Sequence, residues 1–112
     1  MNLFVFRHSP YGGPQAKEGI DALLAAAAFD QPIALLFLGD GVYQLQPDQQ
    51  PKGQKNHGKM LKALEMYDVD KVYADERSIQ LRNLKSLCID AQILGADEVQ
   101  SLIASAKTVL SF

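Results

Sequence analysis

One cysteine, no tryptophan and no marked excess of charge of either sign occur in the 112 residues of this chain. A single thiol cannot close an internal disulfide, and it cannot supply the two to four thiolates of a structural zinc site. A reducing, cytoplasmic compartment is therefore expected, with no metal and no cofactor. Eleven Lys+Arg stand against thirteen Asp+Glu. With no basic cluster among them, the balance argues against direct binding of nucleic acid. Long hydrophobic runs are missing as well. Met1–Phe6 is too short for a signal-peptide core or a membrane span, which predicts a soluble protein with no membrane association. There is no internal repeat and no linker-like stretch. A chain of this size buries roughly 65% of its unfolded surface, enough for one domain and too little for two. Residues 1–112 read as a single domain.

What is present alternates between two periods. Leu3-Phe4-Val5-Phe6 and Ile33–Leu38 are continuous apolar runs, the pattern of strands buried on both faces of a parallel sheet. Between them, Gly12-Gly13-Pro14 marks a turn with proline at the start of a helix. That helix carries Lys17, Glu18 and Asp21 on one face and Ala16, Ile20, Leu23, Leu24 and Ala27 on the other. Met60, Leu61, Leu64 and Met66 outline a second, short helix. Val69–Ala74 reads as a third strand, Arg77–Leu84 as one or two helical turns, and Leu87-Cys88-Ile89 as a fourth strand. Ala96–Ser105 forms a further helix, and Thr108–Phe112 a closing strand. Regular alternation of this kind implies right-handed crossovers and a parallel sheet covered on both sides. The segment Gln46–Lys59 stands apart. It has no large aliphatic residue, two prolines and two glycines, so burial cannot offset its ordering entropy and a long mobile loop is expected.

In such a sheet, ligands sit outside the carboxyl ends of the strands. Those positions hold Arg7, His8 and Ser9, then Gly39-Asp40-Gly41, then Asp75-Glu76-Arg77-Ser78. The Ser9–Gly13 turn could offer N–H groups to an anion. However, Tyr11-Gly12-Gly13-Pro14 matches neither GxGxxG nor GxxxxGK[ST], and Pro14 removes a donor. His8 is either a general base or a plain surface residue. Asp40 stands where a phosphoacceptor would, yet Arg7-His8 occupies the place of the acidic pair that such a site needs; the other reading is a carboxylate bonded to its own Gly-flanked turn. Cys88 is either a reactive thiol or a small buried hydrophobe within its apolar run. His57, in the polar segment, reads as solvated. Val42, Tyr43 and Leu45 after the GDG turn either build a contact with another subunit or form the core of a following helix. No carboxylate pair, metal constellation or catalytic triad emerges, so no catalytic residue is assigned. The residues alone describe a binding or assembly subunit.

EGIDALLAAAAF (18–29), ALLFLGDGVYQL (34–45), LKALEMYDVDKVYAD (61–75) and the C-terminal LGADEVQSLIASAKTVLSF resemble the TusC/DsrF family of DsrE/DsrF-like sulfur-relay proteins. EG-DALLA and the hydrophobic-F-x-GDGV-QL signature are the most specific parts. The resemblance implies a three-layer α/β/α sandwich around a five-stranded, mainly parallel sheet of the DsrEFH kind. It also implies assembly with TusB-type and TusD-type homologous subunits into a heterohexamer, a dimer of heterotrimers. That complex would pass persulfide sulfur from a TusA-type donor toward a TusE-type acceptor, ending in 2-thiouridine at the tRNA wobble position. The sulfur-carrying cysteine belongs to the TusD/DsrE partner, just after the third strand. That position falls at or near Asp75 here, which cannot form a persulfide, and Cys88 does not match it.

Three other functions compete with a non-catalytic relay subunit. One is a stand-alone persulfide carrier using Cys88, and another is a DsrF-type subunit in sulfur oxidation. The third is a small anion-binding module at the Ser9–Gly13 turn.

Overall fold

The computed structural model describes residues 1–29, 31–49 and 56–112. Five strands form one sheet: β1 (Asn2–Phe6), β2 (Ile33–Phe37), β3 (Val72–Asp75), β4 (Gln92–Leu94) and β5 (Thr108–Ser111). Their order is β4-β3-β2-β1-β5, and every neighbouring pair is parallel. The helices are α1 (Gln15–Ala28), α2 (His57–Lys62), α3 (Glu76–Leu81) and α4 (Ala96–Ser105), with 3-10 turns at Gly39–Leu45 and Ala63–Tyr67. The α/β/α layering and the parallel sheet expected from the sequence are both present.

The two sheet faces are covered unequally. Phe4, Phe6, Leu35, Phe37 and Ala74 point to one face and pack with Ile20 and Leu23 of α1 and with Leu61 and Leu64. Leu3, Val5, Ala34 and Leu36 point to the other, where Val99, Leu102 and Ile103 of α4 cover them. This alternation within β1 and β2 explains their unbroken apolar sequences, because each successive side chain meets a different layer.

On the α1 face, Phe6 stacks on Phe37 with ring centroids 5.2 Å apart, and Phe112 lies 6.2 Å from Phe4 and 5.9 Å from Phe6. Gly19 is what lets α1 approach this row. A Cβ there would lie 2.6 Å from Phe6 Cε1 and 2.7 Å from Phe112 Cγ, well inside van der Waals contact. The glycine of EG-DALLA is thus a packing requirement.

Three sequence expectations need correction. The fourth strand is Gln92–Leu94, not Leu87-Cys88-Ile89. As an edge strand it buries only Leu94, so it needs no apolar run. Leu87 and Ile89 instead pack onto the α1-face core, with the backbone held by Cys88 N–H to Leu45 O at 2.7 Å. The third strand begins at Val72 rather than Val69, because Asp68 takes a left-handed φ of 58° that ends the preceding turn.

The second helix starts earlier than its apolar spacing suggests. Asn56 caps it by accepting Lys59 N–H at 3.1 Å, which makes His57–Lys59 its first turn. Of the loop expected over Gln46–Lys59, residues 50–55 lie outside the described residues. The flanks that are described are held by hydrogen bonds: Gln49 Nε2 donates to Gln44 O and Gln46 O at 2.9 Å each.

Candidate strand-end site

Because β1, β2 and β3 are parallel neighbours, their carboxyl ends line up about 4.8 Å apart. Arg7, His8 and Ser9 follow β1, Asp40 follows β2, and Asp75 ends β3. The structure therefore brings together the strand-end candidates read from the sequence. Arg7, His8 and Arg77 are exposed, and Ser9 is half-buried. Among the described residues, none of Arg7, His8 and Arg77 is in an ion pair.

A polar network joins the ends of β2 and β3. Asp75 Oδ2 accepts Ser78 N–H at 3.0 Å and also the Ser78 hydroxyl, so its carboxylate caps α3. Ser78 Oγ in turn accepts Gly39 N–H at 2.8 Å. Arg82 closes the circuit: Nε and Nη2 both lie 3.0 Å from Asp40 Oδ1, and Nη1 donates to Ser78 O at 3.2 Å. Its guanidinium carbon stands 5.9 Å from the Tyr43 ring centroid, within cation–π range. Asp40 thus pairs across the site with Arg82 and not with its own turn. The reason is geometric, since the positive φ of Gly39 (53°) begins a 3-10 turn that carries the carboxylate outward. Arg82 was not legible as a site residue, because it lies 42 positions from Asp40 and no local spacing links them.

Val42 and Leu45 have no exposed surface. They are core of the 3-10 turn, as the second sequence reading had it. Only Tyr43 of the three is partly exposed. Gly41 sits where this turn crosses β1. A Cβ on it would come within 2.5 Å of the Phe6 carbonyl carbon and closer still to its oxygen, so GDG is fixed by a backbone crossing.

A second polar cluster lies under the turn after β1. The Tyr11 hydroxyl donates to Gln49 Oε1 and accepts His57 N–H at 3.1 Å, while the Tyr11 and His57 rings stand 4.8 Å apart. His57 is buried, contrary to its solvated reading; placement at the start of α2 turns it inward against Tyr11. Burial pushes its pKa down, Asp21 opposes that shift and Lys17 adds to it. Gln44, also wholly buried, donates to His8 O at 3.3 Å.

Cys88 lies in a bend between α3 and β4, half-buried. Its Sγ is 3.7 Å from Gln44 O. It borders a cavity of about 400 Å³ that is also lined by Lys59, Lys62 and Asn56. Burial raises the thiol pKa, a backbone hydrogen bond and Lys62 lowering it by less, which leaves the neutral thiol dominant near pH 7. Among the described residues, no group of three or more His, Cys, Asp or Glu side chains could hold a metal. No helix among them is long and apolar enough to cross a membrane.

Comparison with known proteins fits this picture. The protein is similar to a Vibrio parahaemolyticus protein named "Protein TusC homolog", 41% identical over 97% of this chain and 96% of the other. A Pseudomonas aeruginosa protein of the same name is 37% identical over 97% and 95%, and one from Vibrio vulnificus is 36% identical over 97% and 96%. Among solved structures, the ychN protein from E. coli shares the fold with a TM-score of 0.88, at 22% identity over 99% of this chain and 97% of that one. The family pattern described as DsrE/DsrF-like matches residues 2–112, and the chain belongs to that family.

Proposed function

We propose that this chain is a subunit of a sulfur-relay complex that does not itself carry the sulfur. The complex would pass persulfide sulfur toward 2-thiouridine at the tRNA wobble position, with TusB-type and TusD-type homologous chains as the other subunits. In each relay step an acceptor thiolate attacks the outer sulfur of a donor persulfide. The old S–S bond breaks as the new one forms, and the donor cysteine leaves as a thiolate.

The observation that carries this reading is the residue at the carboxyl end of the third strand, at or near which the family's sulfur-carrying cysteine would fall. That residue is Asp75, whose carboxylate is committed to Ser78 and the start of α3. The thiol that the chain does have, Cys88, lies off that position, half-buried and with its pKa raised. Relatives of 36–41% identity named TusC homologs support the assignment to this branch of the family. In this reading Arg7, His8, Ser9, Arg77 and the partly exposed Tyr43 are the residues left to meet neighbouring subunits. The Asp40–Arg82 pair holds the turn that presents Tyr43.

Affinity purification of the chain at native expression tests the proposal. It should recover two small homologous proteins, one with a cysteine at the position equivalent to Asp75, and deletion of the chain should deplete wobble 2-thiouridine. Recovery of a free monomer, or unchanged thiolation in the deletion, overturns it.

A further inference from the structure

The end of the sheet opposite the strand-end network carries a groove of different character. Between α2 and the segment leading into β4 lies a cavity of about 400 Å³, open at the amino ends of β3 and β4. Its apolar floor is formed by half-buried Val69 and Ile89, with the core residues Leu61 and Leu64 closing it from beneath. Its rim carries three exposed carboxylates, Asp68, Asp70 and Asp90. None of the three is in an ion pair among the described residues. Two further depressions open beside it and share these rim residues, one with Asp70 and Asp90, the other with Asp68 and Asp70. Lys71 lines both of those but not the groove itself, so the groove's rim keeps its acidic character.

Each feature narrows what fits. Three unpaired carboxylates around one opening repel phosphate, which excludes nucleic acid, and favour a cation. An apolar floor under an acidic rim favours a cation attached to aliphatic carbon, since a bare metal ion gains nothing from valine and isoleucine. Lysine and arginine side chains have that build, with a hydrocarbon stem and a charged head. We propose that this groove docks a protein segment presenting lysine or arginine beside an aliphatic side chain, the aliphatic group over Val69 and Ile89 and the cations between the aspartates. The site is at the far end of the sheet from Asp75, and the inference does not rest on the relay reading.

The test is a titration of the full-length, nitrogen-15-labelled protein with the peptide acetyl-Lys-Leu-Arg-Leu-Lys-amide, followed by amide chemical shifts. Shifts should concentrate on residues 68–72 and 89–92. Affinity should fall about tenfold in the triple variant Asp68→Asn, Asp70→Asn, Asp90→Asn, and by a similar factor when salt is raised to about 0.5 M. Asparagine tolerates the left-handed backbone of residue 68, and Asp90→Asn alone serves if the triple variant does not fold. Replacing both leucines of the peptide by serine should also weaken binding. The proposal is overturned by absence of shifts at those amides, by equal binding to the asparagine variant, or by the same shifts with acetyl-Glu-Leu-Glu-Leu-Glu-amide or with Mg²⁺ alone.

Discussion

Alanine at position 41 would place a methyl group against backbone that has no way to rotate aside. The new Cβ would stand 2.5 Å from the Phe6 carbonyl carbon and 3.1 Å from Arg7 N, and nearer still to Phe6 O. Ordinary contact needs about 1 Å more, so the turn after β2 must lift away from the end of β1. That movement strains Leu38 N–H to Phe6 O (3.0 Å) and Gly41 N–H to Leu38 O (2.9 Å). Overpacking costs about 1–3 kcal/mol and a weakened buried hydrogen bond about 1 kcal/mol, for a total near 3 kcal/mol. At about 2.1 cal/mol/K per residue over 112 residues, each kcal/mol lowers Tm by roughly 4 °C. Gly41→Ala should therefore melt about 12 °C below wild type by calorimetry. Gly39→Ala is the internal control. Its φ of +53° disfavours alanine by about 1 kcal/mol, but nothing lies closer to its Cβ than Arg82 Nη2 at 3.9 Å. It should cost about 4 °C. A Gly41→Ala melting point within about 3 °C of wild type, or a worse result for Gly39→Ala, refutes the crossing argument.

The remaining predictions concern the polar clusters. Asp75→Ala should lose the α3 cap and about 1 kcal/mol in chemical denaturation, while Asp75→Asn keeps most of it; equal losses would contradict a capping role. In a double-mutant cycle, Asp40→Ala and Arg82→Ala should couple by about 0.5 kcal/mol, since Asp40 is well exposed, and the coupling should shrink in high salt. His57 has a lowered pKa in the folded protein because of burial, so between that value and the unfolded value of about 6.5 the unfolded chain binds more protons. The stability that neutral His57 contributes is complete above about pH 6.5 and is lost as pH falls toward its folded pKa. Denaturation midpoints should show this slope in wild type and lose it in His57→Gln; a retained slope would assign it to other groups.

How much of this could be read from the sequence follows from how local each cause is. β1 and β2 were legible because burial on both faces leaves an unbroken apolar run, and α1 because Ile20, Leu23 and Ala27 repeat on one face. The edge strand Gln92–Leu94 was not, since it buries one residue and its pattern is weak. Leu87-Cys88-Ile89 looked like a strand because packing against the core leaves the same apolar signal whether or not the backbone joins the sheet. Asp40, Asp75 and the residues after β1 were placed at one end of the sheet by topology alone. Their partner Arg82, and the burial of His57 against Tyr11, depend on contacts between segments 42 and 46 residues apart, for which a single sequence carries no spacing rule.

The central claim is that this chain serves sulfur transfer without holding the sulfur. It is tested most directly by replacing the chromosomal copy with Cys88→Ser and quantifying wobble 2-thiouridine in total tRNA by mass spectrometry. A deletion strain and a wild-type strain are measured beside it. Thiolation should stay at the wild-type level in Cys88→Ser and be lost in the deletion. Thiolation lost in Cys88→Ser, with the protein present at its normal level, would make Cys88 the carrier and contradict that claim.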